Sequence, residues 1–183
     1  MKQHYDVIGV GIGPFNLSLA ALLADKPLKC MFFDKKAKFN WHAGVMMPAT
    51  TLQVPFMADL VTMADPTSRF SFLNYLKTQG LLYPFFFKES FFMLRKEYNE
   101  YCRWVIAQLS SCHFAMEVVR IKVLKRQNKY IWQVAIKDGN GFVKQLTTEN
   151  LIFGVGSVPQ LPQALRDASQ QIKENIHHSA QYL

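Results

Sequence analysis

The sequence predicts an α/β domain in which a parallel β-α-β unit is followed by an antiparallel β-meander. Three observations lead to this fold class. Residues 5–34 read as strand, turn, helix and strand, and the hydrophobic period shifts towards two after Ser111. Half of the 183 residues are apolar and 19% are charged, as in globular proteins. The length suits one domain with a core, or one domain and part of another.

The β-α-β unit is the first element. Residues 5–10 read as a short buried strand, residues 14–23 as a helix, and residues 29–34 as a second buried strand. The apolar stretch 7–24 could suggest a signal peptide or an anchor, but an acidic residue precedes it and glycines and a proline interrupt it. A strand, a turn and a helix describe it better.

The middle of the chain is irregular. Residues 39–67 hold several prolines and aromatic residues, and so long a stretch without periodicity usually wraps a ligand. Residues 68–79 and 95–109 are predicted helices, with Ser90 capping the approach to the second. The aromatic run 83–87 is expected in the core rather than on a binding surface.

The second half is predicted to form a β-meander inserted into the α/β frame. Four segments alternate or are continuously apolar. These segments are residues 114–123, 130–137, 142–148 and 150–154. The intervening sequence Asp138-Gly139-Asn140-Gly141 favours a hairpin turn, because such a turn needs residues that tolerate positive φ.

Charge and cysteine content narrow the function classes. The net charge is +8, but the basic residues are scattered, which favours a solvated basic surface that attracts anionic nucleotides over a nucleic-acid or membrane partner. The three cysteines are Cys30, Cys102 and Cys112. Their spacing is not that of metal ligands, and an odd number of cysteines fits a disulfide framework poorly. We therefore expect no metal site and a reducing, cytoplasmic location.

A glycine-rich turn follows the first strand. Gly9, Gly11, Gly13 and Pro14 give the pattern G-x-G-x-G-P. Gly9 permits a tight turn, Gly11 lets the backbone approach a pyrophosphate, and proline is favourable at the first helical position, where free N–H groups attract anions. The pattern predicts a Rossmann-like dinucleotide-binding turn, and the alternative is a tight glycine turn without a ligand.

An acidic residue ends the second strand. Asp34 follows Gly13 by 21 residues. A carboxylate at that distance accepts hydrogen bonds from the ribose hydroxyls of an adenosine and disfavours a 2′-phosphate, although Lys35 beside it weakens the second inference.

A third glycine-containing segment follows the meander. A buried strand runs into Gly154 and Gly156 and then into Pro159 and Pro162. This order resembles the A-T-G-x-x-P-x-x-P segment of flavoproteins with two dinucleotide-binding domains, in which the chain passes near the flavin. The resemblance implies that the dinucleotide is FAD.

The irregular middle carries a closer resemblance. It contains FNWHAGVMM at residues 39–47, LQVPFMADLV at 52–61 and DPTSRFSFLNYL at 65–76. These segments resemble the signature of the flavin-dependent N-hydroxylating monooxygenases, which include the lysine and ornithine N-hydroxylases of siderophore biosynthesis. The resemblance covers essentially the whole chain.

The resemblance implies both a reaction and a cofactor site. NADPH reduces FAD, O2 adds at C4a, and the resulting hydroperoxyflavin hydroxylates a neutral primary amine without a catalytic side chain. Residues 34–42, with Lys35, Trp41 and His42, are implied to lie along FAD. Gln53 would lie beside the isoalloxazine on the substrate side, and the backbone of Val118 at the adenine end. The alternatives are a packed aromatic pair at Trp41 and His42 and an ordinary polar loop residue at Gln53.

One departure from the family pattern concerns the substrate. Amino-acid hydroxylases carry a lysine in F-x-K-D-L that pairs with the substrate carboxylate, and this chain has Ala58 at that position. A carboxylate without its cation is costly to bury. Ala58 therefore favours putrescine, cadaverine or histamine, whereas a cation placed elsewhere would leave L-lysine and L-ornithine open.

The resemblance also implies a domain organisation. Residues 1–162 would be the N-terminal FAD-binding part, and residues 163–183 a connector toward an NADPH-binding domain, in an enzyme that forms homo-oligomers. The His177-His178 pair and Tyr182 fit such a connector better than a metal site, since no third ligand is evident. Another flavoprotein with two dinucleotide-binding domains and a non-catalytic FAD-binding module are the alternatives.

Overall fold

A computed structural model describes residues 3–126, 129–172 and 178–180. Its six strands are β1 Gln3–Val10, β2 Cys30–Phe33, β3 Cys112–His113, β4 Met116–Arg126, β5 Lys129–Asp138 and β6 Val143–Phe153. Its five helices are α1 Pro14–Leu23, α2 Phe72–Thr78, α3 Leu82–Phe87, α4 Arg95–Ile106 and α5 Gln163–Ile172. None of these helices is long and apolar enough to cross a membrane.

All six strands lie in one sheet, in the order β3-β2-β1-β6-β5-β4. The strands from β3 to β6 in this order are parallel, and β6, β5 and β4 are antiparallel. Helix α1 provides the crossover between β1 and β2 that a parallel pair requires. The predicted α/β, Rossmann-like fold is confirmed.

Strand β6 differs from its prediction. The two predicted strands 142–148 and 150–154 are one strand, whose first half pairs with both β5 and β1 and whose second half pairs with β1. The exposed polar residues Glu149 and Asn150 suggested the end of a strand in the sequence. In the structure the hydroxyl of buried Thr148 is hydrogen bonded to the backbone of Asn150, and the strand continues past these residues. The predicted meander is present as β4, β5 and β6, and it continues the parallel sheet through the pairing of β6 with β1.

The core has two parts, one on each face of the sheet. Val7 and Phe32 belong to the larger cluster with α1, α4 and the irregular middle. Their neighbours Ile8 and Phe33 belong to the cluster beneath the meander. Successive side chains of a strand point to opposite faces, so β1 and β2 are buried on both, as parallel strands usually are.

The helices of the middle are shorter than predicted. Helix α2 begins after Ser71, whose hydroxyl accepts a hydrogen bond from the Asn74 N–H, because residues 68–71 are occupied by turns. Ser90 does not cap α4. The helix begins after Leu94, whose N–H donates to the carboxylate of Glu97.

The expectation that the aromatic run 83–87 lies in the core is wrong. It forms helix α3, of which Phe85 packs against the core while Tyr83, Phe86 and Phe87 are each more than 70% exposed. Aromatic density alone does not indicate which side of a short helix faces inward. Because this run has almost no polar residue, hydrophobic periodicity could not resolve its two sides.

Candidate cofactor site

The glycine turn joins β1 to α1 where β1, β2 and β6 end together. A Cβ on Gly9 would collide with the ring of Phe32, so this glycine is needed for packing against β2. Gly11 has φ +85°, and a Cβ there would lie 2.5 Å from the carbonyl oxygen of Gly154. The turn is therefore pressed against both neighbouring strands, and a side chain at either glycine would displace it.

Helix α1 begins directly at this turn. Gly13 occupies the extended N-cap position, and Pro14 is the first helical residue. The first N–H groups of a helix have no intrahelical acceptor, and the helix dipole makes this end positive. This arrangement is suited to an anion such as a phosphate group.

Asp34 lies beside the turn, at the end of β2. Its Oδ2 accepts a hydrogen bond from the Ile12 N–H at 2.8 Å, and its Oδ1 accepts one from the Lys36 N–H at 2.9 Å. Each carboxylate oxygen has a further lone pair. Asp34 can therefore accept ribose hydroxyls while it also ties the turn to β2, a structural role that the sequence did not reveal. Lys35 is exposed next to it.

A cavity of about 620 Å³ opens next to the helix N-terminus. It is lined by Gly13, Pro14, Phe15, Trp41, His42, Leu52, Val54, Ala58, Tyr98, Phe153, Gly154, Val155, Gly156 and Ser157. Its size is in the usual range for small-molecule sites, and its walls are mostly apolar. Most of the candidate residues predicted from the sequence thus meet at one cavity.

Six candidate residues lie outside that lining: Gly9, Gly11, Asp34 and Lys35, which lie at the glycine turn and just after β2, and Gln53 and Val118. Gln53 is exposed, between Leu52 and Val54, which both line the cavity. Val118 lies on β4 opposite Ile136, and the pairing shifts by one residue immediately after it. Such a bulge leaves one residue of the bulged strand unpaired, so backbone groups are available there.

The start of the irregular segment is held by helix α4. The Oδ1 of buried Asn99 accepts a hydrogen bond from the Trp41 N–H at 3.0 Å, and Arg103 Nε donates to the Phe39 carbonyl at 3.2 Å. The Trp41 ring packs edge-on against Tyr98, with centroids 5.1 Å apart. These contacts set where Trp41 enters the cavity wall.

The guanidinium of Arg95 lies 5.0 Å from the centre of the Trp41 ring, on α4 as well. His42 follows Trp41 with φ +47°, an uncommon conformation for a residue with a side chain. Burial lowers the pKa of His42, and the positive charges of Arg95 and Lys36 lower it further. His42 is therefore neutral at pH 7, and the cavity wall has no positive charge at this position.

The stretch around Ala58 is held by Asp59. Its carboxylate accepts hydrogen bonds at 2.6–2.8 Å from the N–H groups of Val61, Thr62 and Phe72 and from the Thr62 hydroxyl. An aspartate followed by a threonine three residues later is a recognisable turn signal, so Asp59 could have been identified from the sequence.

Tyr101 supports the same stretch from inside the core. This fully buried side chain donates its hydroxyl hydrogen to the Phe70 carbonyl at 2.7 Å and accepts from the Leu60 N–H at 3.4 Å. Its partners lie 31 and 41 residues away in sequence, and no local pattern reveals such a pairing.

The end of the chain is described in part. Helix α5 occupies the beginning of the predicted connector, and the Nδ1 of His178 accepts a hydrogen bond from the Ala180 N–H at 3.0 Å. His177 and Tyr182 lie outside the described residues. The division into residues 1–162 and 163–183 stays a prediction.

Known proteins with similar sequences include a putrescine N-hydroxylase and a protein of siderophore biosynthesis. The chain is 44% identical over its whole length to the putrescine N-hydroxylase of Acinetobacter baumannii, of which it covers 41%. A rhizobactin siderophore biosynthesis protein of Rhizobium meliloti is 50% identical over 86% of the chain, which covers 35% of that protein. The chain thus spans about two fifths of the length of these relatives or less.

A solved structure and a family model agree with these relatives. The FAD-bound cadaverine monooxygenase of the desferrioxamine pathway of Erwinia amylovora is 40% identical and superposes with a TM-score of 0.88, over 98% of this chain and 41% of that one. The model of the L-lysine 6-monooxygenase/L-ornithine 5-monooxygenase family matches residues 3–183. The chain therefore belongs to this family of N-hydroxylating monooxygenases.

Proposed function

We propose that the chain binds FAD and forms the FAD-binding part of an enzyme that hydroxylates the nitrogen of a primary amine in siderophore biosynthesis. One observation carries the proposal: Gly13 and Pro14 of the glycine turn line the same cavity as Trp41 and Ala58, and Asp34 is hydrogen bonded to that turn. The putrescine N-hydroxylase and the cadaverine monooxygenase described above support it.

The residues of the site fit FAD. A Cβ at Gly11 would fill the space of the turn, and the helix start at Gly13 and Pro14 offers N–H groups to a pyrophosphate. Asp34 has lone pairs for the ribose, and the backbone beside Val118 is available for the adenine. The mostly apolar cavity suits the isoalloxazine ring. The residues proposed to hold FAD are Gly9, Gly11, Gly13, Pro14, Asp34, Lys35, Trp41, His42, Gln53, Val118, Gly154 and Gly156.

Bound FAD, once reduced by NADPH, would activate O2 so that one oxygen atom is transferred to the amine nitrogen and the other leaves as water. The chain's own residues orient the reactants and exclude bulk water. Trp41, Leu52 and Val54 provide apolar walls for that purpose. The neutral His42 adds no charge of its own to the cavity wall, and the positive charge of nearby Arg95 disfavours a protonated amine, so the unprotonated amine that the reaction needs is favoured. The NADPH site is proposed to lie in a second domain.

Ala58 supports a diamine substrate. Its methyl group lines the cavity, where the amino-acid hydroxylases carry a lysine for the substrate carboxylate. Putrescine, cadaverine and histamine lack a carboxylate and need no such cation. L-lysine or L-ornithine would need a cation from elsewhere to balance the carboxylate.

The proposal is tested with a full-length protein that carries this sequence. We expect amine-dependent NADPH oxidation and a hydroxylamine product from a diamine, with much lower turnover of L-lysine and L-ornithine. Absence of hydroxylamine from every amine would refute the assignment. Equal turnover of diamines and amino acids would refute only the preference for diamines that is inferred from Ala58.

A lysine at position 58 tests the specificity directly. We expect Ala58→Lys to shift the ratio of kcat/KM between L-ornithine and putrescine toward the amino acid by at least about tenfold. The new lysine would pair with the carboxylate of L-ornithine and would repel an ammonium group of putrescine, and both effects favour the amino acid. Met57→Lys is the matched control, because Met57 is half exposed and lies outside the cavity lining. An equal shift in both variants would contradict a specific role of position 58.

We also place the enzyme in the cytoplasm as a homo-oligomer. Cys30, Cys102 and Cys112 are all free thiols, which suits a reducing compartment. The exposed aromatic side chains of α3 provide apolar area of the kind found at subunit contacts. Light scattering on the full-length protein measures its mass, and a monomer would refute this part of the proposal.

A further inference from the structure

Asn16 is a buried polar residue in the first turn of α1. Its side chain is 2% exposed, and its Nδ2 donates to the carbonyl oxygens of Val10 at 3.2 Å and Gly11 at 2.8 Å. A polar group is rarely buried without such partners, and its amide could not be replaced by an apolar group without leaving a carbonyl unpaired. Both partners belong to the glycine turn.

The bond to Gly11 acts on one particular peptide unit. The Gly11 carbonyl points to Asn16, while the N–H of the same unit, from Ile12, points to Asp34 at 2.8 Å. A trans peptide is planar, with its C=O and N–H on opposite sides. Asn16 and Asp34 therefore hold this plane from both sides, and a rotation of the plane would break both bonds.

This restraint matters because the unit begins at a glycine with φ +85°. Glycine has no Cβ and passes easily between conformations, so the turn has little rigidity of its own. The next residues of the turn are Gly13 and the start of α1. The orientation of the peptide between Gly11 and Ile12 thus sets the path by which the chain reaches the helix N-terminus.

Asn16 also joins the turn to the end of β6. A Cβ on Gly154 would lie 2.6 Å from the amide carbon and nitrogen of Asn16, so the Gly154 backbone lies directly on the side-chain amide. The Gly154 N–H donates to the Val10 carbonyl at 2.8 Å, the same oxygen that accepts from Asn16. The side chain is therefore in contact with both backbone segments that border the cavity.

We propose that Asn16 is a positioning residue for the pyrophosphate of the cofactor. It holds the glycine turn so that the N–H groups at the start of α1 face the phosphates. This inference rests on the proposed binding of FAD. An amide is required, because a carboxylate would present an oxygen to two carbonyl oxygens and an aliphatic side chain has no donor.

The test measures FAD affinity in the full-length protein with Asn16→Leu and Asn16→Asp, two changes that nearly preserve size. We expect the Kd for FAD to rise at least about tenfold in Asn16→Leu and further in Asn16→Asp, which adds a negative charge near the phosphates. At saturating FAD, the two ³¹P NMR signals of the bound cofactor should move toward their positions in free FAD.

Thr147→Val is the matched control. Thr147 is 1% exposed, and its Oγ1 is hydrogen bonded to His4 Nδ1 at 3.0 Å, away from the glycine turn. This isosteric change also removes a buried hydrogen bond, so it reports what a general loss of stability does. We expect it to lower the melting temperature while the Kd for FAD and the ³¹P signals stay as in the unmodified protein.

The outcomes separate the two proposals. Failure of the unmodified protein to bind FAD would overturn the proposed function and this inference with it. A different result would overturn the role of Asn16 alone. In that result the unmodified protein binds FAD, both Asn16 variants keep its ³¹P signals, and their Kd for FAD changes no more than in Thr147→Val. If neither variant folds, Asn16→Ala, which removes the amide donor without adding bulk or charge, decides between these results.

Discussion

The glycine turn and the irregular segment 39–71 border the same cavity but are held in different ways. The turn is pressed between the ends of β2 and β6, where even one added carbon at Gly11 would meet backbone. The segment is held by a few side chains, above all Asp59 and Tyr101, whose polar atoms bond its backbone. The turn is therefore sensitive to added atoms, and the segment to removed ones.

The largest effect is expected from Gly11→Ala. A Cβ would lie 2.5 Å from the Gly154 carbonyl oxygen at a backbone conformation that already disfavours side chains. We expect a loss of about 3 kcal/mol or more in the free energy of unfolding, from strain and overpacking together. FAD binding should be lost with it. Urea unfolding and FAD titration measure the two effects.

Gly141→Ala is the control for this change. Gly141 has φ +87°, nearly the same as Gly11, but nothing lies within 4 Å of the position of a Cβ. We expect a loss of about 1 kcal/mol, from the backbone conformation alone, and unchanged FAD affinity. Equal effects of the two substitutions would contradict the close packing of the turn.

The next effect is expected from Asp59→Ala in the irregular segment. The change leaves four donors without their charged acceptor, and hydrogen bonds to charged groups contribute about 1.5–3 kcal/mol each to stability. We expect a total loss of about 2–3 kcal/mol, since water reaches part of this site. Weaker FAD binding should accompany it, because Ala58 and its neighbours line the cavity.

Asp65→Ala is the matched control, because Asp65 makes a similar turn with the N–H and hydroxyl of Thr67 at an exposed position. Its loss should change the free energy of unfolding by about 0.5 kcal/mol or less. A stability loss at Asp65 as large as at Asp59 would show that the segment is not held by Asp59 in particular.

A smaller effect is expected from Tyr101→Phe. The change removes one hydroxyl, and the Phe70 carbonyl loses its buried donor. We expect a loss of about 1–2 kcal/mol in the free energy of unfolding, measured by urea titration. Tyr75→Phe should change it less, because the Tyr75 hydroxyl makes no hydrogen bond within the described part of the chain. The reverse order would contradict the role of Tyr101.

The smallest effect concerns pH. Burial lowers the pKa of His42 and of His113, and nearby positive charges add to the shift. The unfolded chain therefore binds protons more readily than the folded one, so the associated stability is present above about pH 6.5 and is lost as the pH falls through the lowered values. His113→Phe should reduce the loss of stability between pH 7 and pH 5. An unchanged loss would contradict a partly buried, neutral His113.

The sequence predicted the turn well because its constraints are local. Three residues in or beside the turn can be recognised from a short sequence pattern. They are Gly11 at a positive φ, Pro14 at the first helical position and Asp34 at the end of the next strand. Even so, the pattern did not show that Asp34 also bonds the Ile12 N–H. That bond depends on the relative placement of two strands.

The irregular segment was located but not explained. Its aromatic and proline content showed that it is not a regular element, and the family resemblance singled out Trp41 and Ala58. Its supports Asn99 and Tyr101 lie on a helix 58 and 41 residues further along the chain, and helix periodicity indicates only that they face inward. The exposure of α3 was missed for a related reason, since the run of aromatic residues lacks the polar positions that define a face.

We propose that the glycine turn and the irregular segment hold opposite ends of one FAD molecule. A crystal structure of the full-length protein with FAD tests it most directly. We expect the pyrophosphate at the start of α1, next to Gly11 and Gly13, and the isoalloxazine ring in the cavity beside Trp41 and Ala58. An isoalloxazine ring bound outside this cavity, or a pyrophosphate away from the glycine turn, would contradict it.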